Sequence, residues 1–268
     1  LMYRMATDIP SLLGVNGLAL QAERVEQVSV DGALTVRSLW GVGKMNVGSA
    51  RDTKPVPVVE MTRTIFPSRS LPLMCEHYVL RNVGGKPLAV YIPEFSQVVT
   101  TDPAKGVAGS YVVRGDLAGS GTFMLVPADS LAFDAVFQAY RSDEEPLRPD
   151  VAAEYAARME FVHGCIDANL VLETPDPVID TEFRYAKLRA AESIIETRGE
   201  SYYAAVWAND QAEYVNPFFP FLGYGTGNES ALNSFRHFAR FMNPGYEPLP
   251  SSIIAEGDDI WNGAGDRG

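Results

Sequence analysis

Apolar and polar residues alternate along the first half of this chain with the period of two that a half-buried β-strand needs. The alternation is clearest in Val58–Phe66, where Val59, Met61 and Ile65 fall on one side and Glu60, Thr62 and Thr64 on the other. Val25–Val30 and Ala33–Leu39 flank Asp31-Gly32, a dipeptide suited to a two-residue hairpin turn. His77–Val83, Leu88–Ile92, Tyr111–Arg114, Thr122–Val126 and Phe133–Tyr140 read as further short strands, separated by turn clusters such as Gly84-Gly85-Lys86-Pro87 and Gly119-Ser120-Gly121. Short strands at regular intervals predict an antiparallel β-sandwich over residues 1–145.

The period then changes. Arg141–Asp150 is polar and carries Pro146 and Pro149, a linker composition. Val151, Tyr155, Met159, Val162 and Ile166 recur at helical spacing behind Asp150, a suitable N-cap. Glu173-Thr174-Pro175-Asp176-Pro177 stops that helix. Asp180 is placed to cap a second helix, with Phe183, Leu188, Ala191 and Ile195 apolar. A third is predicted from about Ser230 to Met242, with Leu232, Phe235, Ala239 and Met242 on one face and Asn243-Pro244-Gly245 as its stop. Strands followed by helices, rather than βα alternation, predict a β-domain over 1–145, a linker helix region over 146–179 and helical hairpins over 180–268.

Composition narrows the function classes. The 268 residues are 46% hydrophobic and 21% charged, an ordinary globular balance. A formal charge of −12 opposes nucleic acid and anionic membrane surfaces as partners and suits a neutral substrate. No apolar run approaches the ~20 residues of a membrane span. Two cysteines, Cys75 and Cys165, make no disulfide framework. Cys75-Glu76-His77 looks like a metal fragment, but nothing nearby completes four ligands, so no metal is expected.

Chemistry concentrates in two stretches. Trp207, Asn209, Asp210 and Gln211 put an indole, two amides and a carboxylate within five positions. That combination fits a sugar site, where a flat apolar surface faces the ring and polar groups grip vicinal hydroxyls. A helix start capped by Asn209 or Asp210 is the plainer alternative. Near the end, Glu256, Asp258, Asp259 and Asp266 crowd around Trp261 and Arg267 with glycines between them. Glycosidases need paired carboxylates, one protonated and one ionised; a solvated acidic loop is the alternative. Gly223-Tyr224-Gly225-Thr226-Gly227-Asn228 follows a Phe/Pro run rather than a strand, so it reads as a helix connection with Asn228 as the next cap, not a dinucleotide loop. Gly41-Val42-Gly43-Lys44 lacks the flanking residues of a P-loop, no Gly-x-Ser-x-Gly frame surrounds a serine, and His163 and His237 lie in helical patterns.

The order of parts resembles the six-hairpin glycosidases with an (α/α)6 barrel: the glucoamylase-like, debranching α-glucosidase-like and rhamnosidase-like enzymes. Leu172–Pro177, Asp180, Phe183 and Ala186-Lys187-Leu188 look like the entry into their first barrel helix. Trp207-Ala208-Asn209-Asp210 is similar to their Trp-x-Arg-Asp element, with Asn209 where Arg is usual. Trp261, Asp266 and Arg267 look like the loop leading into a later inner helix. The resemblance implies a supersandwich-like β-domain, a linker helix and an incomplete (α/α)6 barrel. It implies an inverting glycoside hydrolase on a neutral α-linked glycan or glycoside, with no cofactor and with a carboxyl pair ~6.5–9.5 Å apart. Trp207 and Trp261 would stack on sugar, while Asp210, Asn209, Gln211 and Arg267 would bind hydroxyls. Twelve helices need roughly 190 residues, more than twice what Asp180 to Gly268 supplies. The acid and base are therefore expected beyond Gly268, with Asp266 and Asp259 as the in-chain candidates and the remainder of the barrel as a partner. The class implies an extracellular or periplasmic location. A glycoside phosphorylase, and a non-catalytic carbohydrate-binding or assembly protein, remain the alternatives.

Overall fold

The computed structural model describes residues 7–43, 56–106, 109–197, 199–203, 207–208, 210–245, 252–253 and 259–260. The chain divides into two compact units, Leu1–Met159 and Glu160–Gly268.

The first unit is built on strands. After a short helix α1 (Ile9–Leu12) come β1 (Gly14–Val15), β2 (Leu18–Val30), β3 (Leu34–Val42), β4 (Pro57–Pro67), β5 (Leu73–Asn82), β6 (Leu88–Ile92), β7 (Ser96–Thr100), β8 (Tyr111–Ala118), β9 (Gly121–Leu125) and β10 (Ser130–Arg141). They pair antiparallel in one sheet, in the order β7-β8-β10-β5-β4-β3-β2-β1-β6-β9. The predicted strands are present, most of them longer than the sequence suggests; β1 and β7 were not legible. The Asp31 turn is one residue longer than expected. Val30 pairs with Leu34, so Asp31, Gly32 and Ala33 form the connection, with Gly32 at φ 76°, a left-handed conformation that favours glycine.

β6 and β9 are remote in the ladder from β4, β5 and β10. Yet Leu88, Val90, Ile92 and Leu125 share one core with Val59, Met61, Tyr78, Leu80 and Phe133. The sheet therefore folds over on itself, face to face, which is the sandwich the alternation predicts. Tyr78 and Phe133 stack inside it with ring centres 4.8 Å apart. Within this core the buried Glu76 takes a two-pronged hydrogen bond from Arg63, at 2.7 and 3.2 Å, and a third from the Tyr78 hydroxyl. Burial, then the neighbouring Glu76 charge, drives the Tyr78 phenol above its ordinary range.

The opposite face of β5 carries Cys75 and His77, since strand side chains alternate. The same alternation sends Glu76 to the inner face, so Cys75-Glu76-His77 cannot close on one ion. Cys75 packs with Phe66, Leu73, Val136 and Val151, beneath the start of helix α2 (Val151–Val162). Asp150 caps α2 as expected, its carboxylate accepting from the backbone of Ala152 and Ala153. Arg158 on α2 donates to the Gly32 carbonyl at 2.8 Å.

Burial, then the Glu154 and Asp134 charges, pushes the Cys75 thiol from 9.0 up to about 11. A raised acid favours the folded state at low pH and loses that contribution as pH climbs from the unfolded value to the folded one. Stability is therefore expected to fall by about 2–3 kcal/mol between pH 9 and about 11 because of this one group. Urea titrations at both ends of that window check it. Cys75→Ala should lack this increment, and equal falls in both proteins would refute it.

The second unit holds helix α3 (Pro177–Glu192), a β-hairpin of β11 (Ile194–Thr197) and β12 (Glu200–Tyr203), a short helix α4 (Phe219–Leu222) and helix α5 (Gly225–Ala239), followed by the two-residue strands β13 (Ser252–Ile253) and β14 (Asp259–Ile260). π-helical turns occupy His163–Asp167 and Asp210–Val215. Successive helical hairpins, expected from the resemblance, do not describe this region, because a β-hairpin follows α3. Asp176, not Asp180, caps α3 by accepting from Val178; Asp180 lies in the first turn and accepts from Thr174. Asn228 lies inside α5, whose N-cap position is Tyr224. The core of this unit joins Val215, Phe219, Leu222 and Ala231. Gly227 permits it, because a Cβ there would stand 2.8 Å from the Phe219 ring.

The face of α5 predicted to be apolar core is turned outward. Leu232 and Phe235 are 47% and 53% exposed, as is Met242 beyond the end of α5 at 75%, while Ser230, Ala231, Ser234, His237 and Phe238 are buried. The 3.6-residue period locates a stripe but not the side on which the partner elements lie.

Candidate functional site

The stretch that carries the sugar-site expectation is tied together by its backbone. Trp207 sits at an isolated β-bridge and its carbonyl accepts from the Gln211 N–H at 3.1 Å. The π-helical turn then begins at Asp210, and the Asn216 N–H reaches back to the Gln211 carbonyl at 2.8 Å. The wider turn rotates side chains relative to an α-helix and often marks a functional segment. Pro217 follows the π-turn, and Pro220 stands in the first turn of α4, where proline is tolerated.

Each predicted residue in this stretch has a distinct setting. Trp207 is 42% exposed, presenting its indole to solvent. Asp210 is half-buried. Gln211 is 1% exposed, and neither end of its amide has a hydrogen-bond partner. Asn209, Trp261, Asp266 and Arg267 lie outside the described residues, as do Glu256 and Asp258. Asp259 begins β14, where only the backbone is described.

Three residues that sequence reasoning missed complete the polar seam. Asn216 donates from Nδ2 to the Ser234 hydroxyl at 3.1 Å, while its own Oδ1 has no partner. Ser230, one turn before Ser234 on α5, is fully buried with its hydroxyl unpartnered. A buried amide or hydroxyl without a hydrogen bond costs ~1–3 kcal/mol, so the four unpartnered atoms on Gln211, Asn216 and Ser230 make this a costly polar cluster. Serines four apart on a helical stripe were the legible signal, since apolar residues usually fill that stripe.

Beside the seam is a cavity of about 220 Å³. Ala208, Ala212, Phe235, Phe238 and Met242 wall it, and Asn216 and Ser234 form its polar end. An apolar surround with a few convergent amides and hydroxyls can hold a neutral hydroxylated ring. A second cavity, of about 300 Å³, lies against α3 and includes Asp167, Asp180, Arg184 and Lys187. Its cations are engaged: Lys187 donates to the Leu170 carbonyl at 2.8 Å, and Arg184 pairs with Asp167 at 3.2 Å. The His163 hydrogen bond, with Arg184 reinforcing it, holds the Asp167 carboxyl below its usual range.

No helix among the described residues is long and apolar enough to cross a membrane. No family model matches the sequence, and no curated protein matches it. Among solved structures, the chain is similar to a putative kojibiose phosphorylase from the human microbiome, with 8% identity and a TM-score of 0.48 over 85% of this chain and 38% of that one. It is also similar to the GH36 α-galactosidase AgaA from Geobacillus stearothermophilus, with 10% identity and a TM-score of 0.23 over 48% of this chain and 29% of that one. The chain spans well under half the length of either structure.

Proposed function

We propose that this chain carries the sugar-binding part of a glycoside-processing enzyme, an inverting hydrolase of neutral α-linked glycans or glycosides. The observation that carries the reading is the buried, unpartnered Gln211 amide and Asn216 Oδ1, in the stretch that follows the exposed Trp207 indole. In this reading the indole stacks on a pyranose face, Asp210 accepts from vicinal hydroxyls, and the buried amides take up hydrogen bonds from the bound sugar or the water it orders. Asn209, Trp261 and Arg267 belong to the same proposed cleft. Asp259 and Asp266 are the in-chain carboxylates, with the acid and base otherwise supplied from outside this chain. The proposed division into sandwich, linker and barrel segment, and a location outside the cytoplasm, go with it.

Gln211→Leu separates a binding role from a packing role. Removing two unpartnered polar atoms while keeping the volume is expected to raise stability by about 1–2 kcal/mol. The same change is expected to weaken binding of a maltooligosaccharide by about tenfold or more, measured by calorimetry on the full chain, since the oriented amide is lost. Trp207→Ala should weaken binding comparably with little change in stability. Unchanged affinity in both variants would sink the reading. Release of free sugar without added phosphate, by the complete enzyme, would separate hydrolysis from phosphorolysis.

A further inference from the structure

We propose that the outer face of the β-unit holds a second small-molecule site, built around His77 and suited to a neutral, polyhydroxylated ring of monosaccharide size. Strand register sets it up. Thr35 pairs with Thr64, Thr64 with His77 and His77 with Asp134, so four polar side chains stand side by side across β3, β4, β5 and β10. They share the sheet face on which Cys75 packs against α2. Thr64, His77, Val151, Ala152 and Tyr155 line a cavity of about 270 Å³ there, close to the ~300 Å³ at the small end of ligand pockets.

The chemistry of the lining is directional. His77 Nδ1 lies 2.7 Å from Asp134 Oδ1, so in the neutral ring the Nδ1–H is donated to the carboxylate and Nε2 is left as an acceptor. A sheet side chain with no such partner would be free to choose either tautomer; this one is oriented. Beside it the Thr64 hydroxyl both donates and accepts. On the other wall the Tyr155 ring, 40% exposed, is fixed by an edge contact to Phe66 with centres 5.2 Å apart. An aromatic face opposite a fixed acceptor and a hydroxyl matches the two sides of a sugar ring, apolar C–H on one and O–H on the other. Asp134, and Glu154 on α2, are carboxylates, which disfavours an anion. Glu154 accepts from Ser68 at 2.5 Å, and among the described residues no group of three acidic, His or Cys side chains could hold a metal ion.

This site shares no residue with the cleft proposed for the second unit, so either can fail alone. The test uses the full chain with D-glucose and methyl α-D-glucopyranoside as probes. Diethyl pyrocarbonate labels accessible imidazole nitrogens, and peptide mass spectrometry separates His77 from the exposed His163 and the buried His237. Sugar is expected to slow labelling of His77 while leaving His163 unchanged. His77→Gln and Asp134→Asn, with near-UV circular dichroism unchanged, are each expected to weaken sugar binding to this unit by about tenfold. Trp207→Ala is expected to leave the protection of His77 intact. Labelling of His77 at the same rate with and without sugar overturns the proposal. So does protection that disappears in Trp207→Ala, which would place the sugar in the other unit.

Discussion

Replacing Glu76 with alanine is expected to destabilise the first unit by about 3 kcal/mol. Glu76 is 3% exposed and holds three hydrogen bonds, from two nitrogens of Arg63 and from the Tyr78 hydroxyl. Its loss leaves the Tyr78 hydroxyl, in a fully buried residue, with no acceptor. Breaking a buried ion pair costs ~3–5 kcal/mol in general; the lower end applies because about a third of the Arg63 side chain remains in water. Urea unfolding is the measurement, read as a lower midpoint with an unchanged slope. Tyr78→Phe should cost less, about 1 kcal/mol, because Glu76 keeps the guanidinium. A Glu76→Ala loss below that of Tyr78→Phe would show that the pair contributes nothing beyond the hydroxyl bond.

The second large effect belongs to the other unit. Phe219→Ala is expected to cost about 3–5 kcal/mol. The ring is fully buried among Val215, Leu222 and Ala231, and Gly227 brings the backbone of α5 against it. A cavity there cannot be filled by a neighbouring side chain at Gly227, because glycine has none, so little collapse offsets the loss. Calorimetry should show an earlier transition for the second unit while the transition of the first is kept. Phe219→Leu should recover most of the difference. If Phe219→Ala melts like the parent, α4 is not part of the core.

The two networks differ in how far they could be read from the chain. The alternation in Val58–Phe66 needs only neighbours in sequence, and it put Val59 and Met61 in the inner core correctly, while Ile65 is only half-buried. The Asp150 cap is equally local, since the carboxylate bonds amides two and three residues on. Glu76 reads in isolation as an ordinary charged strand residue. Its burial depends on Arg63 standing diagonal to it on β4, opposite Tyr78, while Ile65 is the residue directly across. His77 and Asp134 are 57 residues apart and met only because β5 and β10 pair in that register.

In the second unit the sequence determined that Trp207, Asp210 and Gln211 are close together, because five residues of chain cannot carry them apart. It also determined the helical period of α5, but not its end, since α5 stops at Ala239, before the predicted stop at Asn243-Pro244-Gly245. It did not determine that Ile194–Tyr203 turns back as a β-hairpin, nor which side of α5 is covered. Those outcomes depend on free energies of burial summed over distant segments, which outweigh the tenths of a kcal/mol that local propensity contributes per residue. The same balance explains Gln211. Its amide is polar in any sequence scale, and only the packing of the π-turn against α5 made it a buried group with two unmet hydrogen bonds.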